Sequence, residues 1–215
     1  METILIIEDY IKKLFENEHT GHDYYHAIRV KSIANQIADK EGGNKLIIDV
    51  ACLLHDAIDD KIQDSLNKEC LKFEDFFKDL NLDKNTKEEI LYIMNNMSFS
   101  KMLKNKDNIK LTKELQIVSD ADKMDSIGAI GIARCFAYGS KMNRDIYDPR
   151  ILSEPDLTEE QYKNKDRKTT SLNHFDEKLL KIDQFLFTET GKEIAKQRID
   201  FIKLFKDTFL NEWNY

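Results

Sequence analysis

Apolar residues recur along this chain at helical intervals and almost never in strict alternation. Ile4, Ile7, Ile11 and Leu14/Phe15 form a stripe that predicts a short amphipathic helix near the beginning. His26, Val30, Ile33 and Ile37 continue the pattern in "HTGHDYYHAIRVKSIANQIADKEGG", a second helix stopped by Gly42-Gly43. From Ile47 to Leu54 every position but Asp49 is apolar, which predicts a third helix buried nearly all round. "SLNKECLKFEDFFKDL" and "NTKEEILYIMNNM" read as two more helices, each with an aromatic or aliphatic stripe. "LTKELQIVSDADKMDSIGAIGIARCFAYG" reads as one long helix. "SLNHFDEKLLKIDQFL" and "GKEIAKQRIDFIKLFKDTFLNEW" close the chain as two amphipathic helices. The Lys-rich stretch 98–108 reads as a loop, and 141–170, which holds both prolines, as an extended loop with at most one short helix. A loop of that length is a candidate lid or binding loop.

Composition agrees with an all-α fold. Only 7 Gly and 2 Pro among 215 residues leave little material for a turn-rich β architecture. The expectation is one domain over 1–215, with a core of about 19–139, the loop of about 141–170 and C-terminal helices of about 171–213. A net charge of −7 argues against nucleic acid and anionic membrane as partners, and leaves room for a local basic pocket. Cys52, Cys70 and Cys135 share no metal-knuckle spacing; Cys52 and Cys135 lie in apolar runs and suit reduced core thiols. The opening "METILIIEDY" has an apolar patch too short for a signal segment, and no window approaches a membrane span. A cytoplasmic protein, monomer or homodimer, is expected.

Against this pattern stands one oddity, repeated on three helices: a metal-capable side chain on an apolar stripe. His26 continues the stripe of Val30, Ile33 and Ile37, and His55-Asp56 end the buried third helix. In the long helical pattern, Leu115, Val118, Asp122, Asp125, Ala129 and Ile132/Ala133 fall on one face. Each residue alone has an ordinary explanation. A lone core histidine is usually hydrogen-bonded, and a lone aspartate often caps a helix or pairs with a lysine such as Lys123 or Lys178. Together they ask for a shared partner, and one divalent cation would satisfy two imidazoles and two carboxylates at once. A mixed nitrogen and oxygen set suits Mn²⁺, Fe²⁺, Zn²⁺, Ni²⁺ or Co²⁺, and Mg²⁺ less well. Four protein ligands on a six-coordinate ion leave places for water and a substrate oxygen.

His26, then His55-Asp56, then Asp122, each on its own helix, resembles the H…HD…D signature of the HD-domain superfamily of metal-dependent phosphohydrolases. The surrounding text carries the resemblance further: "GHDYYHAIRV", "ACLLHDAIDDK", "VSDADKMDSIGAIGIARCF" and "KTTSLNHFDEKLL" are similar to a compact bacterial branch that includes nucleotide pyrophosphohydrolases. The resemblance implies a helical HD bundle with a C-terminal helical extension, one divalent metal, Mn²⁺ first, and His26, His55, Asp56 and Asp122 as its ligands. Asp122 is preferred to Asp120 and Asp125 on that pattern and on helical phase together.

Other assignments are weaker in the residues. His22 lies one turn before His26 and either bonds a phosphate or leaving group or caps the helix start. Asp59, one turn after His55, either orients and deprotonates the attacking water or is a solvated helix end. Arg29, Lys61 and Lys123 are candidate phosphate cations, with ordinary surface lysines as the alternative. The resemblance adds His174 and Lys178 as substrate contacts. Asp60 and Asp176 stand where related sequences commonly carry an aromatic residue and a tyrosine, which puts nearby substrate contacts in question. The expected reaction is release of pyrophosphate from a nucleoside triphosphate. Release of phosphate from a monophosphate, or a non-catalytic nucleotide or metal sensor, are the rival readings.

Overall fold

A computed structural model describes residues 2–16, 18, 21–58, 72–97, 109–158, 161, 164 and 167–213. Asp59, Lys61 and the first part of "SLNKECLKFEDFFKDL", 65–71, lie outside them. The described residues are helical, with no strand among them. In chain order the helices are α1 (Glu2–Leu14), α2 (Tyr24–Glu41), α3 (Lys45–Leu54), α4 (Phe73–Asp79), α5 (Lys84–Asn96), α6 (Lys113–Asp125), α7 (Gly128–Lys141), α8 (Asn173–Glu177) and α9 (Glu189–Trp213). A 3₁₀ helix, Leu179–Phe185, separates the last two. The chain gathers into two compact units, Met1–Asp122 and Lys123–Tyr215.

In the first unit, α3 is the hub, with α1, α2 and α5 packed on it. Its sequence explains this. Asn44 caps the first turn by accepting the Leu46 and Ile47 N–H groups. Beyond it, Ile47, Ile48, Val50, Ala51, Cys52, Leu53 and Leu54 are all buried. Truncating one of these leucines to alanine costs roughly 2–5 kcal/mol, because the packed surroundings cannot collapse into the gap. Asp49, the polar exception, accepts from Asn35 Nδ2 on α2 at 2.5 Å. On α2, Asp23 accepts the His26 N–H at 2.7 Å, and Val30, Ile33 and Ile37 carry the buried stripe.

In the second unit α7 packs on α9, and α9 on the 3₁₀ helix. An aromatic row of Phe136, Phe175, Phe205 and Phe209 fills the space, with neighbouring ring centroids 5.9–6.4 Å apart.

Two expected helices are broken. The long pattern through 111–139 divides into α6 and α7 at Ser126-Ile127. Ser126 Oγ donates to the Lys123 carbonyl at 2.6 Å, the Ile127 N–H reaches the Met124 carbonyl at 3.3 Å, and Gly128 follows at φ +77°. That positive φ suits glycine and ends the α-helical path. The apolar face therefore stops at Asp125: Ala129 and Ala133 are exposed. The single helix expected over 171–186 is α8 followed by the 3₁₀ segment, with Lys178 at φ −141°, ψ −55° between them. Polar residues direct this break. Buried Asn173 donates to the Ile151 carbonyl at 2.9 Å, and buried Glu177 is held by Arg167.

Candidate metal centre

Three helices of the first unit bring the expected ligands together. His26 lies one turn into α2, His55 and Asp56 follow the last residue of α3, and Asp122 lies near the end of α6. His26 Nε2 is 3.1 Å from His55 Nε2. Asp56 Oδ2 stands 3.6 Å from His26 Nε2 and 3.3 Å from His55 Nε2. Asp122 Oδ1 stands 3.5 and 3.7 Å from the same two nitrogens. Both imidazoles are buried, while Asp56 and Asp122 keep 24% and 33% of their side-chain surface, so the group opens to solvent on its carboxylate side.

The donor chemistry fits a cation. His55 Nδ1–H donates to the Cys52 carbonyl at 2.8 Å, which in the neutral ring leaves the lone pair on Nε2. Two imidazole nitrogens facing each other at 3.1 Å need a proton or a cation between them. Metal–ligand bonds of about 2.0–2.2 Å place neighbouring ligand atoms about 3.0–3.5 Å apart, close to the spacings found. The residues present could therefore hold a divalent ion.

Electrostatics point the same way. Burial opposes charge on His55, but the Asp56 and Asp122 carboxylates outweigh it and lift its pKa to about 9. Burial likewise pushes Asp56 up, yet His55 and His22 hold it well below the usual carboxylate range. Asp122 is desolvated too, and is held down at about 2 by His26 and the charge on His55. The pull that raises His55 is one that a divalent cation would answer more strongly than a proton.

Around this set the other expected residues fall differently. His22, half exposed, places Nδ1 2.9 Å from Asp56 Oδ2, the oxygen that faces both buried imidazoles. His22, His26 and Asp56 also form a group whose ligand atoms lie within 4.8 Å of one another, as do those of His26, His55 and Asp122. Arg29 is half-buried on α2. Lys123 is buried, its ammonium 5.2 Å from the centroid of the Phe187 ring. Asp125 is taken by Arg134 at 2.7 Å, and Asp120 is wholly buried. In the second unit His174 is half-buried on α8 and Lys178 is exposed just after it. Sequence reasoning missed the Cys52 carbonyl, since a backbone oxygen carries no residue signal. It also missed Asp23 as the cap of the turn that carries His26, although Asp three residues before the first buried position is a helix-start signature.

Known proteins share this arrangement of sequence and fold. The HD domain family matches residues 23–127. The uncharacterized Bacillus subtilis protein YpgQ is 30% identical over 204 residues, 93% of this chain and 88% of its own. Its structure, solved in complex with ADP, aligns with a TM-score of 0.71 at 24% identity, covering 98% of this chain and 95% of YpgQ. A Lactobacillus plantarum protein of known structure is 34% identical with a TM-score of 0.79, covering 99% of this chain and 97% of its own. An HD-superfamily hydrolase from Bacillus thuringiensis is also 34% identical, with a TM-score of 0.71 and the same two coverages of 99% and 97%. No helix among the described residues is long and apolar enough to cross a membrane. With two histidines and two aspartates converging from three helices, and full-length likeness to proteins of this kind, the chain belongs to the HD superfamily of hydrolases.

Proposed function

We propose that this protein is a metal-dependent phosphohydrolase acting on nucleotides, and that it releases pyrophosphate from a nucleoside triphosphate. The observation that carries the reading is the donor set: His26, His55, Asp56 and Asp122 offer two nitrogens and two oxygens, each N–O pair within 3.7 Å and the two nitrogens 3.1 Å apart. The ADP complex of YpgQ supports a nucleotide as the ligand class. Mn²⁺ is the cation favoured here, with Mg²⁺, Co²⁺, Ni²⁺, Fe²⁺ and Zn²⁺ as alternatives.

Once bound, the cation would supply Lewis-acid polarisation of a phosphoryl oxygen and acidify water. Everything else falls to side chains. His55 is oriented by the Cys52 carbonyl, and His26 by its place on a buried helix face. His22 bonds Asp56 through Nδ1 and is the proposed group to hold or pass a proton at the leaving oxygen or to bond a phosphate. Asp59 is the proposed residue to orient or deprotonate the attacking water. Water oxygen bonds to the α-phosphorus, the bridging P–O bond breaks with its electron pair, and pyrophosphate leaves with a nucleoside monophosphate. Arg29, Lys61, Lys123, His174 and Lys178 are the proposed phosphate contacts. For Lys123 this means exchanging the Phe187 ring face for phosphate oxygens.

A panel of nucleoside tri-, di- and monophosphates with each metal, scored separately for phosphate and pyrophosphate, tests the reading. Pyrophosphate from triphosphates, lost by at least about a thousandfold in Asp56→Ala, is expected from removal of a metal ligand. Phosphate from monophosphates would select the runner-up. Turnover undiminished in Asp56→Ala would sink the mechanism.

A further inference from the structure

The helix that carries Asp122 ends in a joint held by side chains from two other helices. A helix leaves its last four carbonyls without helical partners, and each needs a donor from elsewhere. At the end of α6 the Lys123 carbonyl receives the Ser126 N–H at 3.1 Å and Ser126 Oγ at 2.6 Å. The Met124 carbonyl receives the Ile127 N–H at 3.3 Å, a long bond, and Arg198 Nη1 from α9 at 2.5 Å. Arg198 thus supplies the shorter bond at that oxygen, and a cation there also suits the helix dipole.

Two glycines make room for the joint. A Cβ on Gly128 would lie 3.1 Å from Arg198 Cγ and 3.2 Å from its Cβ, so the arginine stem rests directly against that glycine. A Cβ on Gly131 would lie 2.2 Å from the Ser126 carbonyl oxygen, closer than a side chain permits. Buried Asp125 meets Arg134 Nη1 of α7 at 2.7 Å. Burial draws the pKa of half-buried Arg198 below its usual value, against the pull of the Asp125 charge. Met124, Asp125, Gly128, Arg134 and Arg198 all belong to the second compact unit. Asp122 is joined to them by the chain itself, two residues before Met124 and in the same helical turn.

We propose that Arg198 is a positioning residue for Asp122: by holding the Met124 carbonyl it keeps the end of α6 helical, and with it the place of the Asp122 carboxylate. Helix ends fray from the last residue inward, and Asp122 stands only three residues before the end of α6. Its Oδ1 lies 3.5 Å from His26 Nε2 and 3.7 Å from His55 Nε2. Bonds from oxygen to a cation run at about 2.0–2.2 Å, so a drift of about 1 Å would take the carboxylate out of reach. The purpose of the anchor rests on the metal reading above, and its geometry rests on the joint alone.

The test is calorimetric titration of full-length, chelator-treated protein with Mn²⁺, preceded by amide hydrogen exchange without metal. Arg198→Met keeps an unbranched apolar stem against Gly128 and removes the guanidinium. It should weaken Mn²⁺ binding about tenfold, the loss expected when support for a metal ligand is removed. Exchange at the Ser126 and Ile127 amides, which close the joint, should accelerate. Arg198→Lys, which keeps a cation, should recover part of both, and it carries the same comparison if the methionine variant does not fold. In an Asp122→Ala background, Arg198→Met should cost less than about twofold more, because the ligand it positions is gone. An equal loss with and without Asp122 would mean that Arg198 merely stabilises the fold, and it overturns the positioning role. Unchanged Mn²⁺ affinity in Arg198→Met, or unchanged exchange, does the same. Wild type that binds no Mn²⁺ sinks the metal reading and this role with it, whereas binding indifferent to residue 198 sinks the anchor alone.

Discussion

His55 and His174 sit one in each compact unit, the first buried and the second half-buried, and they titrate in opposite directions. Burial works against the charged form of each. Beside His55 the Asp56 and Asp122 carboxylates overcome that penalty and raise its pKa to about 9. Beside His174 the neighbours Lys178, Arg144 and Arg167 add to the penalty and lower it to about 3. The same side chain thus reports the sign of the charge around it: carboxylates beside His55, cations beside His174. The Arg167–Glu177 pair supplies the control. Glu177 meets a guanidinium through both oxygens and Thr169 besides, so its demand is met within the fold and it implies no ligand.

The contrast can be broken by experiment. The largest effect is expected from Asp122→Ala, which removes a carboxylate from the pair of imidazoles. Metal affinity should fall by more than the roughly hundredfold that loss of a mere supporting group costs. Titration with Mn²⁺ reads this, and unchanged affinity would mean the four residues do not share an ion. Next comes Glu177→Ala, which removes the carboxylate that meets the Arg167 guanidinium at a side chain only 13% exposed. About 3–5 kcal/mol of stability should be lost in denaturant melts while metal affinity stays put. A parallel fall in metal affinity would erase the distinction between the closed pair and the open centre.

Acid and base sharpen the comparison further. In metal-free protein the raised pKa of His55 gives stability that is complete below 6.5 and lost as pH climbs through about 9. Asp122, depressed to about 2, stabilises above 3.8 and loses that contribution as pH falls through about 2. His174 is neutral in the fold but protonates near 6.5 when unfolded, so stability should decline from 6.5 down to about 3. His174→Gln should flatten the acid-side decline and leave the alkaline one, and Mn²⁺ binding should release a proton below about pH 9. An acid limb identical in His174→Gln would remove His174 from the comparison. The smallest effect belongs to Asp23→Ala, about 1 kcal/mol for a lost helix cap, with a slight loosening of His26.

How much of this the chain discloses depends on the range of the interaction. The stripe through His26, Val30, Ile33 and Ile37 and the apolar run ending at His55-Asp56 are local periodicities, and they were legible as buried helices carrying polar ends. Asp122 could be placed by helical phase because α6 is regular up to it. The break after Asp125 was not legible, since Ile127 and Ile132 keep the apolar rhythm going while Ser126 and Gly128 turn the backbone. The division of 171–186 was hidden for a related reason: buried Asn173 and Glu177 answer to Ile151 and Arg167, partners from distant stretches of chain.

The bond from His55 Nδ1 to the Cys52 carbonyl has a consequence for how the sequence can drift. The acceptor is an oxygen that every amino acid possesses, at the last turn of a helix where such oxygens lack a helical partner. Orientation of the ring is therefore stored in chain register and not in the identity of residue 52. Cys52 can become another small apolar residue without turning His55, whereas one residue inserted into α3 would swing everything after it by about 100° and scatter the cluster. Descendants of this chain are free to rewrite much of α3, provided they never change its length.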